Sequence, residues 1–97
     1  MDKRVVITGL GCVTPCGNSP EELWNSLLEG RHGFELAPWF PEQEPDSLNV
    51  VARVKNFDPT CVIDKKEVRR SDVISQYAIY STEQALKDAG TDFKDLD

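Results

Sequence analysis

Three observations predict a mixed α/β fold for this sequence. A run of β-branched residues near the amino terminus is typical of a buried strand, and residues 48–54 form a second β-rich segment. Two other segments combine helix-capping signals with apolar or small residues at steps of three and four. Strands interspersed with helices in this way favour an α/β arrangement.

The first predicted strand runs from Arg4 to Thr8, and its continuous apolar character suits burial on both faces of a parallel or mixed sheet. Gly9 ends it. From Gly9 to Asn18 glycine and proline recur, which predicts a loop whose backbone adopts conformations that other residues disfavour.

The first predicted helix has clear signals at both ends. Ser19 is the expected N-cap, Pro20 suits the first helical position, Glu22 completes a capping box, and Gly30 is the expected stop. Its predicted apolar face consists of Leu23, Trp24, Leu27 and Leu28.

Residues 31–47 show no steady period and contain three prolines, which predicts a long excursion without regular structure. Its expected anchors are Phe34, Trp39 and Phe40. Residues 48–54 should form a second strand, ended by a turn at Asn56 to Pro59.

A second helical segment should start at Asp64, with Glu67 completing a capping box, break near Ser71, and end at Gly90. One of its faces carries mostly small residues, which let another backbone approach closely, so this face is expected to pack against a helix or a sheet. This face consists of Ile74, Tyr77, Ala78, Ser81, Ala85 and Ala89. Two strands and two helices close a core poorly, so residues 1–97 are expected to be part of a larger fold.

Composition limits the partners that the chain can have. With a net charge of −6, nucleic acid and anionic membranes are not expected partners. No apolar run approaches the ~20 residues that span a bilayer, and the apolar run before Gly9 is too short for a signal peptide, which predicts a cytoplasmic protein. The three cysteines fit neither a disulfide framework nor a metal site, and reduced thiols are expected.

The glycine loop does not match a cofactor site. A dinucleotide fingerprint beginning at Gly9 and Gly11 requires a glycine where Thr14 stands, and a P-loop requires lysine after Gly17. Cys12 and Cys16 lack an evident base, because His32 is the only histidine and lies in a separate loop. We therefore expect no cofactor, no metal and no catalytic residue in this chain.

One short segment differs from its acidic surroundings. Four of the 11 basic residues, but only one of the 17 acidic residues, lie at positions 65–70. These basic residues are Lys65, Lys66, Arg69 and Arg70. On a helix, positions 66, 69 and 70 share a face, which would suit an acidic partner, although a solvated helix face explains the same pattern.

Several segments, in order along nearly the whole chain, carry a resemblance to a known family. They are Arg4 to Gly11, Val13 to Pro15, Gly17-Asn18, Glu22 to Trp24, Leu27 to Gly30, Arg53 to Pro59, Lys66-Glu67, Arg69-Arg70, Asp72, Gln76-Tyr77 and Ala85 to Gly90. In these segments the chain resembles the opening of the β-ketoacyl synthases of fatty-acid and polyketide biosynthesis. The resemblance implies that residues 1–97 are a partial amino-terminal domain of a thiolase-like, layered α/β fold.

The family resemblance also implies a chemistry and partners. Such synthases perform a decarboxylative Claisen condensation between an acyl thioester and malonyl carrier protein, usually as homodimers, with one cysteine and two histidines. In the family those three residues lie downstream of the segments matched here, so this chain alone is expected to be inactive and neither Cys12 nor Cys61 is the nucleophile. By resemblance, Lys66, Arg69 and Arg70, with Lys65 alongside, would meet the acidic acyl carrier protein. The alternative is a non-catalytic module that binds the carrier protein or pairs with another subunit.

Overall fold

A computed structural model describes residues 2–37 and 49–91 of the chain. Within these ranges the elements follow in the order α1 (Pro20–Leu28), β1 (Phe34–Leu36), β2 (Val50–Ala52), a 3-10 helix (Pro59–Cys61), α2 (Lys65–Arg70) and α3 (Val73–Ala89). The predicted mixture of helix and strand is confirmed. No helix in the described ranges has the length and apolar character needed to cross a membrane.

Strands β1 and β2 pair antiparallel, with Phe34 opposite Ala52 and Leu36 opposite Val50. The second predicted strand is confirmed in shortened form as β2. Strand β1 was not predicted, because three residues are too few to show a period. The expectation that Phe34 anchors the excursion is wrong: it lies in β1 and is 66% exposed. The other two expected anchors, Trp39 and Phe40, lie outside the described residues.

Helix α1 begins as its sequence predicts. The Ser19 hydroxyl accepts a hydrogen bond from the Glu22 backbone N–H, with 3.1 Å between the heavy atoms, and Pro20 is the first helical residue. The Glu22 carboxylate accepts from the backbone N–H of Asn18 at 2.7 Å, one residue before the position a capping box requires. The helix ends at Leu28, and Gly30 follows with a φ of 72°.

The predicted apolar face of α1 is not the face that the described residues cover. Trp24, Leu27 and Leu28 are exposed, and the buried residue of the helix is Ser26. The Ser26 hydroxyl donates to the carbonyl oxygen of Cys16 at 2.7 Å, so the glycine-rich loop packs on the polar side of α1. The apolar side therefore stays open to other contacts.

Helices α2 and α3 are separated at Ser71, where the sequence predicts a break. Ser71 is extended, and Asp72 caps α3 by accepting from the Ser75 backbone N–H at 2.9 Å. Gly90 ends α3 in the left-handed conformation, with a φ of 75°. The predicted capping box at Asp64 is wrong in one respect: Asp64 is the N-cap of α2, but its side chain makes no capping hydrogen bond.

The predicted close approach to the small-residue face of α3 is confirmed, but the backbone that packs there belongs to the glycine-rich loop and not to a helix or sheet. A Cβ atom at Gly11 would overlap the Ser81 carbonyl oxygen, and one at Gly9 would lie 2.8 Å from the Ala89 backbone nitrogen. These two glycines are needed for close approach and not, as predicted, for unusual backbone conformation, since neither has a positive φ.

Side chains of α3 complete the contact between the helix and the loop. Gln84 accepts a hydrogen bond from the Cys12 backbone N–H at 3.1 Å, and Asp88 accepts one from the Leu10 N–H at 3.0 Å. The amino-terminal turn of the predicted face remains uncovered, because Ile74 is 79% exposed. The loop therefore packs on the carboxyl-terminal part of α3.

The strand predicted from Arg4 to Thr8 is absent from the described structure. Val5 and Ile7 are 94% and 83% exposed, and no described residue pairs with this segment. A strand is stabilised by hydrogen bonds to a neighbouring strand. Among residues 2–37 and 49–91, no strand lies beside the segment from Arg4 to Thr8. The radius of gyration is 17.8 Å, against about 13 Å for a closed domain of this size.

Candidate functional site

The candidate site is the basic surface of α2, formed by the predicted residues Lys65, Lys66, Arg69 and Arg70. All four are exposed, and α2 begins at the first of them and ends at the last. Because α2 is helical, Lys66, Arg69 and Arg70 follow the three- and four-residue steps that place side chains on one face. The structure thus brings the predicted cations together on one short, solvated element.

The four cations differ in their acidic neighbours. Arg70 lies 3.9 Å from the Glu67 carboxylate, and both side chains are largely exposed, so this pair is weak. Lys65 is close enough to Asp58 for its charge to help lower the pKa of that carboxylate, after the larger effect of hydrogen bonds from Thr60. Lys66 and Arg69 form no ion pair within the described part of the chain. These two cations are the most available to an outside partner.

The carboxyl-terminal end of α2 is held by a buried side chain from α3. Gln76 is 8% exposed, and its Nε2 donates to the carbonyl oxygens of Val68 at 3.0 Å and Ser71 at 3.2 Å. These carbonyls belong to the end of α2 and the residue after it, where a helix leaves its acceptors without internal partners. In the sequence, Gln76 is only one of the positions that match the family, and no role is predicted for it. A glutamine within the first turn after an N-cap is nevertheless well placed to reach back to the preceding segment.

An aromatic cluster fixes the segment that leads into α2. The Phe57 ring meets the Tyr77 and Tyr80 rings edge to face, with centroid separations of 4.9 and 5.1 Å. Directly afterwards, Asp58 caps the 3-10 helix by accepting from the Thr60 backbone N–H at 3.0 Å. Both α2 and α3 pack against that 3-10 helix. The basic surface is therefore attached at both ends of α2.

A cleft of about 1050 Å³ lies elsewhere on the chain, between the glycine-rich loop, the start of α1 and α3. Cys16 and His32 are among its lining residues, and none of the residues of α2 is. No hydrogen bond joins His32 to a cysteine in residues 2–37 and 49–91. Instead, His32 Nδ1 accepts from the Phe34 backbone N–H at 3.1 Å.

The three cysteines are free in the structure. Cys12 and Cys16 are partly buried, Cys61 is exposed, and none of the three is in a disulfide. Burial, and secondarily the negative charge of Glu22, raise the pKa of the Cys12 thiol above its usual 9.0. A raised pKa keeps the thiol protonated at neutral pH, which is the opposite of what a nucleophile requires. The described residues thus present an exposed basic surface and no paired nucleophile and base.

Comparison with known proteins identifies the family to which this chain belongs. Residues 2–97 match the sequence model of the β-ketoacyl synthase amino-terminal domain. The match covers nearly the entire sequence, so the chain belongs to the β-ketoacyl synthase family.

Particular relatives make the assignment more specific. Over 94 residues, 97% of this chain, the sequence is 42% identical to 3-oxoacyl-[acyl-carrier-protein] synthase 2 of Staphylococcus aureus. The protein of the same name from Coxiella burnetii is 40% identical over 96% of the chain. A crystal structure of a β-ketoacyl synthase from Burkholderia phymatum superposes with a TM-score of 0.72 and 34% identity over 99% of the chain. The chain spans 22% of the length of the first two relatives and 23% of the third.

Proposed function

We propose that this chain is the amino-terminal portion of a 3-oxoacyl-[acyl carrier protein] synthase and that α2 is a docking surface for the acidic acyl carrier protein. The reaction is decarboxylative Claisen condensation of an acyl thioester with malonyl carrier protein, in fatty-acid or polyketide biosynthesis, by a thiolase-like fold that acts as a homodimer. No residue of this chain is assigned to the chemical step. Its contribution is recognition of the partner that delivers the acyl group.

The observation that carries this proposal is the exposure of the four cations of α2 on an otherwise acidic chain. Complementary charge raises the rate of encounter and orients the partner, and its effect falls as salt screens the charges. Lys66 and Arg69 contribute most, because they have no ion-pair partner among the described residues that would compete with an acidic ligand. Lys65 and Arg70 extend the same surface towards Asp58 and Glu67.

The test is charge reversal in the intact protein. The double variant Lys66→Glu with Arg69→Glu should bind acyl carrier protein on the order of tenfold more weakly at low ionic strength, measured by calorimetry or fluorescence anisotropy. The difference from the unmodified protein should shrink as salt is added, because a Debye length of about 10 Å at 0.1 M screens exposed charges.

A matched control separates local docking from net charge. Lys3→Glu with Lys87→Glu changes the net charge by the same amount at exposed positions outside α2. Carrier-protein affinity should change much less in this control than in the α2 double variant. Equal losses in both variants, or no loss in the α2 variant, would remove the docking proposal.

A second candidate function is subunit pairing without catalysis, which the exposure of the segment from Val5 to Ile7 favours. An exposed β-branched run offers unpaired backbone and apolar side chains to a neighbouring strand. Sedimentation of the protein with and without the substitution Ile7→Lys distinguishes this function from the first. Loss of association with retained carrier-protein binding would support pairing as a separate role.

A further inference from the structure

The Gln76 side chain is the main buried polar connection between α2 and α3. It is 8% exposed and lies in the first turn of α3. Its Nε2 donates to Val68 O and Ser71 O and also lies 3.4 Å from the Ser71 hydroxyl oxygen. A buried amide with these partners holds the end of one helix against the start of the next.

Helix α2 needs such support because it is short. Six residues form too few internal hydrogen bonds to be stable as an isolated helix in water. The Ser71 backbone N–H and hydroxyl both donate to Glu67 O, at 2.9 and 2.7 Å, which satisfies one terminal carbonyl. Gln76 satisfies the next carbonyl, that of Val68, from outside the helix.

We infer that Gln76 is a positioning residue that sets the direction in which α2 presents Lys66 and Arg69 to an acidic partner protein. This inference rests on the proposed docking function. Gln76 does not touch the partner: it acts by preorganising the helix that does. Without its donor, the last turn of α2 loses the hydrogen bond to the Val68 carbonyl that comes from α3, and ordering that turn on binding then lowers the affinity.

The test begins with Gln76→Met in the intact protein, a change that keeps the length of the side chain and removes the donor. Affinity for acyl carrier protein at low salt should fall on the order of fivefold, consistent with the loss of one or two hydrogen bonds of modest net value. In the background of Lys66→Glu with Arg69→Glu, the same substitution should have no further effect. Such non-additivity is expected only if Gln76 acts through these cations.

Gln84→Met is the matched control. Gln84 lies two turns further along α3 and also bonds to backbone through its amide, accepting from Cys12 N–H and donating to Asn18 O. Its partners belong to the glycine-rich loop and not to α2. Gln84→Met should lower thermal stability comparably while leaving carrier-protein affinity within about twofold.

The conservative variant Gln76→Glu adds a measurement of binding against pH. A residue that only stabilised the fold would not produce a dependence of binding on pH. In Gln76→Glu the carboxylate faces two carbonyl oxygens, so its pKa should be raised and the group should regain a donor only when protonated. Carrier-protein affinity of Gln76→Glu, relative to Gln76→Met, should therefore recover as the pH falls towards about 5. The ratio cancels titration of groups that the two variants share.

The outcomes separate this inference from the docking proposal. If charge reversal weakens binding but Gln76→Met does not, only the role of Gln76 is overturned. Equal losses for Gln76→Met in both charge backgrounds, or an equal loss for Gln84→Met, also overturn it, because they indicate general destabilisation. Unchanged binding in the charge-reversed protein overturns the docking surface and, with it, the role of Gln76.

Discussion

Gly11 lies so close to Ser81 that a Cβ atom at Gly11 would overlap the Ser81 carbonyl oxygen and would lie 2.9 Å from the Gln84 Cβ. The obstacle at Ser81 is helix backbone, which cannot move aside as a flexible side chain would. This contact joins the amino-terminal segment to α3, although Gly11 and Ser81 are 70 positions apart in the sequence.

Gly11→Ala should therefore lower the free energy of unfolding of the intact protein by about 3 kcal/mol or more, the upper part of the range for overpacking. Denaturant unfolding followed by circular dichroism measures the change. Gly30→Ala is the control, because a Cβ atom at Gly30 meets nothing within 4 Å. The free energy of unfolding should fall there only because of the positive φ of 72°, by roughly 1 to 2 kcal/mol. A smaller cost at Gly11 than at Gly30 would contradict the close packing.

The edge-to-face contacts of Phe57 predict a second stability effect. Phe57→Leu keeps most of the apolar surface but loses the ring interactions with Tyr77 and Tyr80. It should lower the free energy of unfolding by about 1 to 2 kcal/mol. Thermal and denaturant unfolding check this value. The control Tyr80→Phe retains the ring that contacts Phe57 and removes only the hydroxyl. It should change the free energy of unfolding by no more than about 0.5 kcal/mol. If both variants have the same stability, the ring geometry does not contribute.

Asp72 predicts a dependence of stability on pH. Hydrogen bonds from Ser75, first from its side chain and then from its backbone, hold the pKa of the Asp72 carboxyl below its usual 3.8. Because the folded-state pKa is the lower one, the stabilisation is complete above 3.8 and is lost as the pH falls through the folded value. Asp72→Asn keeps an acceptor oxygen but does not titrate.

The melting temperature of the unmodified protein should exceed that of Asp72→Asn at neutral pH, since a carboxylate also suits a helix amino terminus. The difference should shrink once the pH is well below 3.8, and circular dichroism melts over a pH series measure it. A difference that stays constant across the series would show that the charge of Asp72 does not stabilise α3.

Local features of the chain were predicted well from the sequence. The start of α1 at Ser19 and Pro20, the break at Ser71 and the end of α3 before Gly90 each depend on one residue and its near neighbours. The basic surface was predictable for the same reason, because Lys66, Arg69 and Arg70 lie within five consecutive residues of one helix. The proximity of Gly9 and Gly11 to α3 was foreseen only in general, as a close approach of some backbone to small residues.

The positions of the helices, the Ser19 cap, the stop at Gly90 and the placement of the charges follow from the sequence alone, because they depend on interactions over one or two turns. Long-range packing sets which faces are covered: Ser26 is buried while Trp24 is exposed, Val5 to Ile7 lack a neighbouring strand among the described residues, and Gln76 reaches back to α2. Burial and strand pairing depend on contacts between residues distant in the chain, and local pattern does not specify the partner. The role proposed for Gln76 is of this kind, because it exists only once α2 and α3 are set against each other.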